Sequence, residues 1–290
     1  MHGSILRRWR AILLLAACAL MPGCAPLDVL NATVDTKGLT VQRAVPYGTL
    51  PRQVMDVWRP VDQRGALPVV VFFYGGAWQT GRRGDYPFVA ADLSRRGFVV
   101  VVPDYRLYPE AGFPVFVQDA AAAVAQVRKL APGWGGDPAR IVLMGHSAGA
   151  HIAALLALDP AWLAAAGDSR DRLAGLVGIA GPYDFLPITG ADIRAVFASA
   201  TDLRDTQPIR FADGGGPPML LLHGEADRTV LPRNTLALAA ATRAAGGTVE
   251  LKTYPGVGHI GIVLGFSDLF RGRSPVLDDA TAFMANLPAR

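Results

Sequence analysis

The chain has 290 residues, 51% hydrophobic and 18% charged. That is enough apolar material to bury the core of one α/β domain or two small ones, and it excludes intrinsic disorder. The formal charge of +4 is local: Arg7, Arg8 and Arg10 sit where residues 1–23 carry no acid, and without those three arginines the balance is +1, which argues against a nucleic-acid partner.

Residues 1–23 read as an export signal. The three arginines precede AILLLAACAL, a ten-residue apolar run, half of the roughly 20 residues that a membrane-spanning helix needs. It ends in LMPGC, which resembles a bacterial lipoprotein signal, with Gly23 before Cys24, the cysteine that would carry the lipid; Met21 and Pro22 depart from the usual residues. Lipidation of Cys24 is the favoured outcome, ahead of ordinary cleavage to a soluble periplasmic or secreted protein and of an uncleaved anchor. Two or more acyl chains on Cys24 would hold the protein on a membrane facing the periplasm or cell exterior. Residues 24–48 are then a tether and 49–290 the folded domain. The only other cysteine, Cys18, lies in the signal, which leaves the mature domain no disulfide and no cysteine-rich metal site.

Past Cys24, apolar runs alternate with Ala-rich amphipathic stretches. Strands are predicted near 54–58 and at 69–73, 98–102, 141–144, 173–179, 219–222 and 249–253, and helices at 86–96, 116–130, 148–158 and 234–245. Fully apolar strands separated by helices predict a mostly parallel sheet covered on both faces, with ligands at the carboxyl ends of the strands. Residues 184–216 lack a strand signal. They form either a small cap carrying Phe185, Ile188, Phe197 and Phe211 over an acyl pocket, or a segment whose aromatics pack on the core.

The loops after these strands carry the chemistry. GHSAG at 145–149 follows a strand and opens a helix, the setting of a nucleophile elbow, in which Gly145 and Gly149 remove side chains that would collide in a tight turn. Ser147 needs a base, and the base an orienting acid. Of the histidines after it, His151 lies one turn along the same helix, pointing away from the elbow in a core or surface role, and His223 ends an apolar strand, where it is expected to pack or hydrogen-bond beneath the site. His259, in the glycine-flanked loop YPGVGHIGI after the last strand, is the expected base. LLLHGEADRTV offers two acids, of which Asp227 has the longer reach and is favoured over Glu225. Gly75, Gly76 and Ala77 follow an early strand, where small residues let backbone N–H groups face a reacting oxygen. Gly76, Ala77 and Ala148 are the expected oxyanion donors.

Together FYGGAW, VVPDYRLYPEAGFP, GGDPARIVLMGHSAGAH, GPYDF, LLHGEADRTV and GVGHIGI resemble the α/β-hydrolase superfamily over about residues 50–288. The similarity is to bacterial carboxylesterases related to hormone-sensitive lipase, feruloyl-esterase-like domains and kynurenine formamidases. Tyr74 stands where the HGGG-type lipase loop has histidine. The resemblance implies an α/β-hydrolase fold and a Ser147–Asp227–His259 triad acting on a small-molecule ester, without cofactor or metal. It also implies that Asp104 and Arg106 hold each other or the backbone. An amidase, arylformamidase or small peptidase would use the same triad; a non-catalytic envelope lipoprotein would not need all its parts. Acyl and alcohol preference and oligomeric state are not written in these motifs.

Overall fold

Runs of Val, Ile, Leu and Phe with no polar partner to face solvent become central strands, because only a sheet covered on both sides buries every residue. In the computed structural model, which describes residues 30–290, this holds for β3 (Leu67–Phe73), β4 (Val99–Pro103), β6 (Leu173–Ile179), β7 (Met219–Gly224) and the last six residues of β5 (Gly136–His146). With β1 (Leu39–Pro46), β2 (Val54–Pro60) and β8 (Val249–Tyr254) they form one eight-stranded sheet in the order β1-β2-β4-β3-β5-β6-β7-β8. The pairs from β4 to β8 are parallel, and β1 and β2 run antiparallel at one edge.

Parallel neighbours need long crossovers, and helices supply them. These are α1 (Pro87–Arg95), α2 (Val115–Leu130), α3 (Ala148–Leu158), α4 (Pro160–Ala165), α5 (Ala191–Val196) and α6 (Arg233–Ala244), and α7 (His259–Leu264) and α8 (Val276–Ala285) follow the last strand. Every residue of α3 is buried, so this helix is apolar all round and lies inside the molecule. The chain leaves β3 toward β4 on one side and returns to β5 on the other. The carboxyl ends of β3 and β5 therefore flank a topological switch point, where a crevice opens.

The expected tether of 24–48 needs correction: residues 39–46 are β1, registered on β2 from Leu39↔Pro60 to Pro46↔Val54. The strand was hidden because it is an edge strand with an irregular pattern. Its pairing is broken by a bulge at Ala44, whose φ is +53° and whose N–H donates to Asp56 Oδ1 at 2.9 Å. Cys24 and the whole 1–23 signal lie outside the described residues. Among the described residues no helix is long and apolar enough to cross a membrane.

Residues 184–216 contain α5 and two 3-10 turns, Leu203–Thr206 and Pro208–Phe211, and no strand. Phe197 is fully buried, Ile188 nearly so, and Phe185 and Phe211 pack on the core while partly exposed. Trp78, His151, Phe185 and Phe197 meet edge to face or stacked, with centroids 4.9–6.1 Å apart. His151, buried on α3, donates from Nε2 to the Thr206 carbonyl at 2.8 Å and so fastens the segment to the helix behind Ser147.

Candidate active site

Ser147 sits between β5 and α3 at φ +56°, ψ −123°, a conformation that costs an L-residue energy and persists only where the surroundings impose it. They do so from two sides. The Ser147 N–H donates to the Ile179 carbonyl of β6 at 2.9 Å. A Cβ on Gly149 would stand 2.0 Å from the Phe73 carbonyl oxygen, and one on Gly145 would stand 2.3 Å from that of Gly149. The glycines expected from the pentapeptide are thus required by backbone approach, and the elbow helix lies directly against the end of β3.

His259 is the first residue of α7, after the N-cap Gly258, and its ring reaches both expected partners. Nδ1 lies 2.7 Å from Asp227 Oδ2 and Nε2 lies 2.9 Å from Ser147 Oγ. A carboxylate oxygen only accepts, so Nδ1 bears the proton and Nε2 offers its lone pair to the serine hydroxyl. Asp227 is almost wholly buried after β7, and its other oxygen, Oδ1, accepts the N–H groups of Thr229 at 2.8 Å and Val230 at 2.9 Å. Those two bonds fix the rotation of the carboxylate. Glu225, in contrast, is exposed, and its carboxylate accepts from the Thr253 hydroxyl at 2.7 Å.

His223 lies under this line. Its Nδ1 accepts from the Thr235 hydroxyl at 2.6 Å; its Nε2–H points to the Val230 carbonyl at 2.9 Å and stands 3.3 Å from Asp227 Oδ2. Burial holds its pKa below the ordinary histidine value, so a neutral ring braces the acid loop.

The loop after β3 turns through three consecutive positive φ values: Gly76 (+127°), Ala77 (+52°) and Trp78 (+60°). The Gly76 carbonyl is turned back to accept the N–H groups of Gln79 and Thr80, both at 3.0 Å. A Cβ on Gly75 would lie 3.0 Å from Ser147 Cβ, so loop and nucleophile are in contact. Ala148 opens α3, where the first N–H groups of a helix have no intrahelical acceptor. Gly76, Ala77 and Ala148 are thus brought to the same end of the sheet as Ser147.

Behind the loop, the tyrosine that replaces histidine is structural. Tyr74 is fully buried, stacked on Tyr105 at 4.7 Å, and its hydroxyl donates to Asp104 Oδ1 at 2.9 Å while accepting from Arg52 Nη2 at 2.8 Å. Arg52 also donates to the Gly81 carbonyl at 2.8 Å, closing the far side of the loop. Asp104 and Arg106 do not pair with each other. Asp104 is held by Arg83, through its N–H at 2.7 Å and its guanidinium, whereas Arg106 makes a two-pronged bond to Asp119 at 2.7 and 2.8 Å.

One residue close to this geometry was not singled out from the sequence. His146, immediately before Ser147, is buried and its Nε2 lies 3.0 Å from the His259 carbonyl. A polar residue ending an otherwise apolar strand was its only signal. Among the described residues no group of three His, Cys, Asp or Glu side chains is placed to hold a metal ion.

Comparison with known proteins gives one family and many relatives. The BD-FAE family matches residues 55–241. Isoprenylcysteine alpha-carbonyl methylesterase ICME of Arabidopsis thaliana is 31% identical over 296 residues, covering 94% of this chain and 68% of that protein. Esterase LipC of Mycobacterium tuberculosis is 32% identical over 242 residues, covering 75% of this chain and 59% of its own length. Among solved structures, a truncated form of a carbohydrate esterase from gut microbiota aligns with a TM-score of 0.75 at 24% identity, over 87% of this chain and 97% of that one. That likeness carries the fold, and the fold is that of the α/β-hydrolases.

Proposed function

The chain belongs to the BD-FAE family and is a carboxylesterase-type hydrolase, and from that premise we propose that it cleaves small-molecule carboxylic esters with Ser147 as nucleophile, His259 as base and Asp227 as orienting acid. The observation that carries the reading is the line Asp227–His259–Ser147, with bonds of 2.7 and 2.9 Å, ending on a serine held at φ +56°.

In this reading Ser147 Oγ attacks the ester carbonyl while its proton passes to His259 Nε2. The imidazolium is stabilised by Asp227 through the Nδ1–H bond. Negative charge developing on the carbonyl oxygen is received by the N–H groups of Gly76, Ala77 and Ala148, each donor of this kind being worth about 3 to 4 kcal/mol of barrier. His259 then gives its proton to the departing alcohol, leaving an acyl-enzyme, and the same ring activates the water that releases the acid.

The experiment is a fluorophosphonate label with a short-chain aryl ester. Ser147→Ala is expected to lose both labelling and turnover, and label persisting on the variant would move the nucleophile elsewhere. A parallel panel of esters, formamides and peptides separates the esterase from an arylformamidase or peptidase with the same residues; the esterase names of the relatives favour the first.

We further propose that Cys24 anchors the domain to a membrane on the periplasmic or outer side, on the strength of the arginines, short apolar run and GC pair. A mature N-terminus lacking lipid mass, or unchanged fractionation of Cys24→Ala, would leave a soluble secreted or signal-anchored enzyme in its place.

A further inference from the structure

We propose that His146 is a positioning residue: one neutral ring between the His259 segment and the loop after β3 sets the base against the oxyanion donors. The inference rests on the roles proposed above for Ser147, His259 and the loop.

The segment that delivers His259 is anchored at Val257, which is buried and whose carbonyl accepts the Ala226 N–H at 3.0 Å, but the glycines on either side of it stand open. Gly256, at φ +72°, has nothing within 4 Å of where a Cβ would be, and the nearest atom to one on Gly258 is 3.8 Å away. Past Val257 the glycine backbone gains little from packing, so a hydrogen bond to the His259 carbonyl adds a hold that packing does not supply. It comes from 113 residues upstream: His146 Nε2 is 3.0 Å from the His259 carbonyl oxygen. A carbonyl only accepts, so Nε2 carries the proton and Nδ1 bears a lone pair.

The opposite edge of the ring meets the other half of the site. A Cβ on Gly75 would stand 3.1 Å from His146 Nδ1, so the ring is seated against the start of the Gly75–Ala77 loop. Nδ1 has no hydrogen-bond partner among the described residues. An unpaired buried acceptor costs stability that an apolar side chain of similar size would not. Its presence is accounted for if the Nε2–H at the far edge is needed.

Charge fits the same role. The His146 and His259 rings are tilted, with centroids 4.8 Å apart, and Asp227 and His223 are the other titratable groups facing them. Burial pushes the His146 pKa down to about 3. It thus remains neutral while His259 carries the proton of the reaction. A lysine or arginine donor there would repel that imidazolium at close range.

Two nearly isosteric replacements separate the donor from the space it fills. Gln at 146 keeps an N–H near the ring's Nε2, and Met keeps the bulk without it. Active sites are titrated with the fluorophosphonate, so that kcat is counted per competent site. Labelling of Ser147, and its loss in Ser147→Ala, tests the premise separately. The expected result is a kcat for His146→Met at least about tenfold below that of His146→Gln, with KM alike within about twofold. Equal kcat values for the two variants overturn the proposal. If His146→Met yields no titratable sites, nitrogen NMR of the wild-type ring decides: a neutral Nε2–H tautomer from pH 5 to 8 sustains the proposal, and an Nδ1–H tautomer or a charged ring overturns it.

Discussion

Replacing Asp227 by Asn is the sharpest test of the site, because the structure dictates which way the new amide must face. Oδ1 of Asp227 accepts two backbone N–H groups, from Thr229 at 2.8 Å and Val230 at 2.9 Å. An Asn keeps both bonds only with its carbonyl oxygen in that place, which puts its NH2 where Oδ2 stood, aimed at His259 Nδ1. A donor there demands a lone pair on Nδ1, so the proton moves to Nε2 and the ring presents N–H to Ser147 where it should accept. The base is then held in the wrong tautomer as well as deprived of a counter-charge. Losses of about a thousandfold to ten-thousandfold in kcat are expected, about 4 to 5.5 kcal/mol of barrier. The two backbone bonds survive, and what is lost is the contact of Oδ2 with the His223 Nε2–H at 3.3 Å, so the melting temperature should fall by only a few degrees. Hydrolysis of a short-chain aryl ester at neutral pH reads the first quantity and a thermal melt the second. Glu225→Gln, whose carboxylate only meets the exposed Thr253 hydroxyl, is expected to stay within about twofold of wild type. The reasoning fails if Asp227→Asn keeps more than a tenth of the activity, or if the Glu225 variant suffers the larger loss.

Two further predictions concern packing and pH. Gly149→Ala would place Cβ 2.0 Å from the Phe73 and 2.5 Å from the Tyr74 carbonyl oxygen, forcing the elbow off the strand that carries the Gly75–Ala77 loop. It should cost about 1 to 3 kcal/mol of stability and on the order of a hundredfold in kcat per titrated site. Gly133→Ala, with open space around it, should cost neither, and equal behaviour of the two would refute the backbone argument. Stability should also fall in acid. Burial lowers the pKa of His146 to about 3 and of His151 to about 4, against 6.5 in the unfolded chain. Their contribution is complete above pH 6.5 and is lost as the pH falls toward those values, because the unfolded state takes up the protons. The slope is about 1.4 kcal/mol per pH unit for each ring. His151→Leu should therefore flatten the decline of melting temperature between pH 6.5 and 4.5, and an unchanged slope would remove His151 from the account.

How much of this was legible in the sequence follows from the range of the forces involved. Strands β3, β4, β6, β7 and the second half of β5 were readable because each is built on an apolar run, and such a run has one stable destination, a covered parallel sheet. β1 was not, since an edge strand interrupted by the bulge at Ala44 has neither alternation nor apolar continuity, and only its pairing with β2 defines it. Ser147 was legible because its signal is local: five consecutive residues hold the serine and the glycines that let the neighbouring strands impose its strained turn. His259 and Asp227 were reached by elimination among few candidates, and the structure brings both to Ser147. The supports stayed hidden for one common reason. Tyr74 depends on Arg52 and Asp104, Arg106 on Asp119, and His223 on Thr235, bonds between separate segments that no local pattern encodes, whereas His223 itself, four residues before Asp227, was expected to pack or hydrogen-bond beneath the site. His146 shows the limit most clearly. Its neighbour announces itself in a pentapeptide, whereas the carbonyl it holds lies 113 residues away, so the residue closest to the nucleophile in sequence could be understood only in space.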